Sequence, residues 1–204
     1  STIEYALLAG ASYRDTRADL NRFPIPSGWS VVSIVPEDNS TGFEASAYRN
    51  LATNEIVISF AGTDPNDILG DMAANLGLAT GVGSAQLLQA AEYYLQVKAA
   101  NPNPNATIAF TGHSLGGGLA ALMGVFFGKQ AVTFDEAPFA ESATPNFLPP
   151  DVAANLKAAL LQNGHTELEL APLTDYLAQR AVAGGIPHSD MVSGIAVSGE
   201  LLFG

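Results

Sequence analysis

The chain contains no cysteine, which excludes a disulfide framework and thiol chemistry and leaves the compartment open. Cationic residues are scarce: eight Lys and Arg stand against twenty Asp and Glu, a net charge of −12. Nucleic-acid binding needs clustered basic side chains that displace counterions from phosphates, so no nucleic-acid partner is expected. Electrostatic docking on an anionic membrane is disfavoured for the same reason, and contact with a lipid surface would run through apolar side chains. Long hydrophobic runs are missing too. The longest uncharged apolar stretch, residues 115–128, falls short of the ~18 residues that suggest a membrane span and is broken by glycines, so it reads as a buried helix. With no cysteine and only three histidines, too far apart for a helical pair, no metal site is expected. Asp64, Asn66, Asp67 and Asp71 lack the pattern of a calcium-binding loop and read as a helix N-cap with its first turn.

What the sequence does have is apolar content. Of 204 residues, 48% are hydrophobic, enough to bury a substantial core, and one domain over residues 1–204 is expected. The start at Ser1 and the apolar ending Leu201-Leu202-Phe203-Gly204 read as an excised piece of a polypeptide that continues, so the fold is expected to be incomplete at its C-terminal side.

Apolar residues at helical spacing predict a helix over Ile3–Tyr13. Trp29–Val35, Phe43–Arg49 and Glu55–Phe60 read as strands, the last two joined by a hairpin at Asn50–Asn54, which implies an antiparallel start to a sheet. Helix and strand then alternate. Helices are expected over Asp67–Asn75 and Ala85–Ala100, a strand over Thr107–Thr111, a helix over Leu115–Phe127 and a short strand over Ala131–Phe134. That spacing implies a right-handed parallel crossover. Ala140–Pro150 reads as irregular, Val152–Asn163 and Pro172–Ala183 as helices stopped by glycine, and Gly194–Phe203 as a last strand. The fold class is α/β, a mixed and mainly parallel sheet flanked by helices.

The most informative stretch is Gly112-His113-Ser114-Leu115-Gly116, set between an apolar strand and an apolar helix. A serine hydroxyl is a poor nucleophile at neutral pH and must be held exposed, beside a base and near fixed N–H donors. A sharp strand-to-helix turn does this, with Gly112 and Gly116 keeping Cβ atoms out of the crossing.

These residues, together with Ile56-Val57-Ile58-Ser59-Phe60-Ala61-Gly62-Thr63, the run from Asp64 to Met72 behind it, and the block from Asn101 to Ala121, resemble the class 3 lipase family of the α/β-hydrolase fold. The resemblance is closest over residues 43–135. It implies that Thr63 supplies one oxyanion donor and the backbone N–H of Leu115 the other. Where the family commonly has Arg, this chain has Ala61. The apolar, glycine-rich stretch Asn75–Gly83 stands where the family places a lid, and reads equally as a connecting loop.

A serine hydrolase of this fold needs an acid and then a histidine after the serine. The resemblance places the acid in Ser198-Gly199-Glu200-Leu201-Leu202, at Glu200, and the base then lies beyond Gly204 or on another chain. The competing assignment keeps the triad internal, with His188 preceded by Asp175 or Asp135. The third is a non-catalytic α/β interaction domain that retains the elbow. His113 reads as structural. The resemblance implies a carboxylic ester hydrolase working through an acyl-enzyme on Ser114, lipase-like, with phospholipase and thioesterase as alternatives. It implies no cofactor, a lipid or other ester as substrate, and a secreted or cell-envelope setting.

Overall fold

The computed structural model describes residues 1–14, 23–38, 40–62, 82–103, 106–136, 140–143, 151–182 and 185–196. Its centre is the strand β3, Ile56–Phe60, whose Ile-Val-Ile-Ser-Phe run is buried throughout. β-branched and aromatic residues without a polar alternation suit a strand covered on both faces. β1 (Trp29–Asp38) and β2 (Phe43–Asn50) precede it, and β4 (Ile108–His113), β5 (Ala131–Phe134) and β6 (Val192–Ile195) follow. The six strands lie side by side in sequence order. The β1–β2 and β2–β3 pairs are antiparallel, and the three later pairs are parallel. In the β2–β3 hairpin, the Asn50 side chain accepts from the backbone N–H groups of Ala52 and Thr53, while Asn54 takes the left-handed turn conformation with φ 61°.

The period of two along each strand sends alternate side chains to two separate cores. On one face, the helix α1 (Thr2–Ala11) lays Tyr5, Leu8 and Ala11 against Trp29, Tyr48, Val57 and Ala109. On the other, Ile56, Ile58, Phe60 and Phe110 belong to a larger core. It is closed by α2 (Val82–Ala100) and α3 (Leu115–Phe127), then, beyond the one-turn α4 (Ala140–Ala143), by α5 (Val152–Gln162) and α6 (Ala171–Val182). Every residue of α3 after Leu115 is buried, as expected for a helix apolar on all sides. Phe60 and Phe110 stack with ring centroids 5.9 Å apart, and Tyr94 meets Phe110 edge-on at 5.4 Å. Among the described residues no helix is long and apolar enough to cross a membrane.

Some boundaries differ from the sequence reading. β1 runs past Val35 to Asp38, through Pro36, with register irregularities between Val31 and Ser33 and between Val35 and Asp38. A strand at the sheet edge tolerates a proline because the missing N–H has no ladder bond to lose. The first helix stops at Ala11, where the Ser12 hydroxyl donates to the Ala9 carbonyl. α2 begins at Val82 rather than Ala85, and residues 140–143 are helical rather than irregular. The last strand starts at Val192 and is paired with β5 to Ile195. Ala196 is already past the strand, and the rest of its expected span, residues 197–203, and the expected helix Asp67–Asn75 lie outside the described residues.

Candidate active site

β4 ends at His113 and α3 begins at Leu115, so Ser114 alone makes the turn. Its backbone has φ 55° and ψ −125°, a region that side-chain-bearing residues rarely enter. The crossing tolerates no Cβ at the flanking glycines. At Gly112 a Cβ would stand 2.3 Å from the Gly116 carbonyl oxygen, and at Gly116 it would stand 2.2 Å from the Phe60 carbonyl oxygen. The Ser114 N–H donates to the Phe134 carbonyl oxygen of β5 at 3.0 Å. Serine at a helix N-cap ordinarily accepts from the first-turn N–H groups, yet Ser114 makes no such side-chain bond. Ser114 is partly exposed, and its hydroxyl is not committed to the helix.

The first N–H groups of a helix have no intrahelical acceptor and carry the positive end of its dipole. The Leu115 nitrogen lies near the segment that follows β3, where a Cβ on Gly62 would stand 3.5 Å from it. The same position would lie 2.8 Å from the Tyr13 hydroxyl and 2.9 Å from the His113 carbonyl oxygen. The Tyr13 hydroxyl donates to that carbonyl at 3.3 Å and lies 3.4 Å from His113 Nδ1. On the other side of the imidazole, Asp135 Oδ2 is 3.9 Å from Nε2. Asp135 is buried and has φ 43°. A strained serine, a helix N-terminus and an adjoining strand end form a geometry suited to attack on a carbonyl carbon with the developing oxyanion held by N–H donors.

The residues proposed from sequence are not all brought together. Leu115 lies beside the serine. Thr63 and Glu200 lie outside the described residues, as do Asp64, Asn66, Asp67, Asp71 and residues 75–81 of the lid-like stretch. His188 is a correction to the internal-triad reading. It sits at the opposite end of α3, where its Nδ1 is 2.9 Å from the Val125 carbonyl oxygen and its ring lies against Gly128 and Tyr176. At 1.5 Å per residue, Val125 is about 16 Å along the helix axis from Ser114. A histidine in that place satisfies a helix C-terminus and cannot take a proton from Ser114. Its proposed acids are elsewhere too: Asp175 is exposed on α6, and Asp135 faces His113. His165 is held by Glu92 of α2 at 2.6 Å. Among the described residues no group of three or more His, Cys, Asp or Glu could hold a metal ion.

Tyr13 and Gly62 escaped the sequence reading as parts of the site. Gly62 was visible only as one letter of the strand-end block, and Tyr13 as the last apolar position of the first helix.

A family model described as Phospholipase-like, Tle-like phospholipase domain, matches residues 4–160. The extracellular phospholipase A1 of Serratia liquefaciens is 39% identical over 122 residues, which is 60% of this chain and 35% of that protein. The chain thus spans about a third of the length of that relative. Lipase II from Rhizopus niveus shares the fold, with a TM-score of 0.50 at 16% identity over 77% of this chain and 66% of that one. The six-stranded mixed sheet with its flanking helices is accordingly an α/β-hydrolase fold. The matched span carries the first five strands and the elbow between them, and the chain belongs to the Tle-like phospholipase domain family.

Proposed function

We propose that the protein hydrolyses carboxylic esters of lipids, phospholipids foremost, with Ser114 as nucleophile. The observation that carries the proposal is the backbone of Ser114. Its φ of 55° is held at a helix N-terminus, with the hydroxyl unused as a cap. Such strain persists where surrounding structure over-determines it, and it concentrates at functional sites. In the reaction the Ser114 oxygen adds to the ester carbonyl carbon while its proton passes to a histidine. The Leu115 N–H and Thr63 hold the oxyanion, the alcohol leaves with the proton, and water releases the acid from the acyl-enzyme. Glu200 is the carboxylate that orients the histidine. That histidine comes from outside these 204 residues, on a further segment or a second chain, because the His113 ring is taken up between Tyr13 and Asp135, His165 is engaged by Glu92 and His188 by Val125. The phospholipid preference rests on the family and on the Serratia phospholipase, whose extracellular character also supports a secreted setting. No cofactor takes part.

The test uses the full-length polypeptide: release of fatty acid from phosphatidylcholine vesicles and of nitrophenol from a short-chain ester, each with the Ser114→Ala variant beside it. Loss of a nucleophile costs on the order of 10⁶ in turnover. Undiminished hydrolysis by Ser114→Ala would refute the assignment. A non-catalytic domain is the second reading, favoured by the engagement of His165 and His188 away from the elbow. Failure of a serine-directed fluorophosphonate to label the full-length polypeptide would select it.

A further inference from the structure

The proposed reaction leaves the network around His113 without a part. The His113 carbonyl and the Ser114 N–H belong to one planar peptide unit, and both of its ends are gripped. The oxygen accepts from Tyr13 at 3.3 Å, and the N–H donates to Phe134 at 3.0 Å. The next residue after Phe134 is Asp135, whose left-handed backbone carries its carboxylate toward His113 Nε2. Tyr13 is 5% exposed, and its hydroxyl also closes on Gly62, two residues past the end of β3. A single hydroxyl therefore bonds the residue before Ser114 and stands against Gly62, near which the Leu115 nitrogen also lies.

We propose that Tyr13 is a positioning residue for ester hydrolysis. Its hydroxyl, together with the His113 ring held on its far side by Asp135, sets the tilt of the peptide entering Ser114 and the gap between Gly62 and the Leu115 N–H. The inference rests on the esterase reading given above. Oxyanion donors work only if aimed at where charge develops, and a displacement near 1 Å costs on the order of 10² in rate. Loss of one neutral hydrogen bond that governs this aim is expected to cost about tenfold.

The experiment compares the full-length polypeptide with its Tyr13→Phe variant in steady-state hydrolysis of p-nitrophenyl butyrate and in the rate of Ser114 labelling by a fluorophosphonate. The expected result is a kcat about tenfold lower, a KM within about twofold, and labelling slowed by a similar factor, since phosphonylation uses the same donors. A fold defect alone would not slow labelling of the folded fraction in step with kcat. Unchanged kcat and labelling, or a change in KM alone, overturns the inference. Should Tyr13→Phe fail to fold, Asp135→Asn decides: it keeps the side-chain size and weakens the hold on His113, so kcat is expected to fall several-fold at constant KM, and no fall overturns the inference. An active Ser114 with an indifferent Tyr13 refutes the positioning role alone. Undiminished hydrolysis by Ser114→Ala refutes the esterase reading and this role with it.

Discussion

Replacing Gly116 by alanine tests the elbow where it has least room. The added Cβ would stand 2.2 Å from the Phe60 carbonyl oxygen and 2.8 Å from the Ala61 carbonyl carbon, while ordinary contact begins at 3.4 Å. Both obstacles are backbone, so no rotamer change relieves them, and α3 must part from β3 by about 1 Å. Overpacking of this kind costs about 1–3 kcal/mol. A backbone clash belongs at the upper end, and in a chain of this length about 3 kcal/mol lowers Tm by roughly 6–12 °C. The same movement draws the Leu115 N–H away from the end of β3, and the expected loss in kcat is about 10². Scanning calorimetry and short-chain ester hydrolysis on Gly116→Ala measure the two effects. Gly185→Ala is the control, because a Cβ there meets nothing within 4 Å. A Gly116→Ala protein melting within about 2 °C of the parent with undiminished kcat would show that the tight crossing does not govern the site.

Ser114→Gly is expected to abolish hydrolysis while raising stability by about 1 kcal/mol in urea unfolding, because glycine enters the φ 55° region without the strain that serine bears. His188→Ala is expected to leave kcat/KM within about twofold and to lower stability by about 1–2 kcal/mol, from the loss of its bond to Val125 and its packing on Tyr176. Burial opposes ionisation of Asp151, but the Arg180 guanidinium and the Ala154 and Ala153 N–H groups outweigh it and hold the carboxyl below its usual 3.8. The stability this contributes is complete above that unfolded-state value and is lost as pH falls through the lower folded-state one. Asp151→Asn is therefore expected to be less stable than the parent near neutral pH, with the gap closing below about pH 4 in acid-unfolding titrations.

The elements whose sequence pattern is local were legible before the structure. Ile56–Phe60 announces a fully covered strand because nothing polar interrupts its packing faces except Ser59, and Gly112 to Gly116 announces the elbow because only glycine fits the crossing. The extension of β1 from Val35 to Asp38 through Pro36 was not legible, since a proline is tolerated there because the strand lies at the sheet edge, a fact of topology rather than of local sequence. His188 misled the sequence reading. A loop histidine bounded by Gly185 and Pro187 looks the same in sequence whether it meets a serine or a helix C-terminus, and the packing of the segment against Val125 and Gly128 decides between them. Tyr13 was invisible as a site residue because the contact that matters spans a hundred residues, from the end of the first helix to the end of β4.

The strands stand in space in the order in which they occur along the chain, and this has a consequence for biosynthesis. None of the described strands has to be inserted between two already paired, so this sheet can grow from one side as the chain is synthesised, each strand docking on its predecessor. The contact that accepts the Ser114 N–H comes from Phe134 on the strand added after the elbow. A nascent chain that has built the sheet only as far as β4 therefore lacks the acceptor of the Ser114 N–H, which is supplied when β5 pairs.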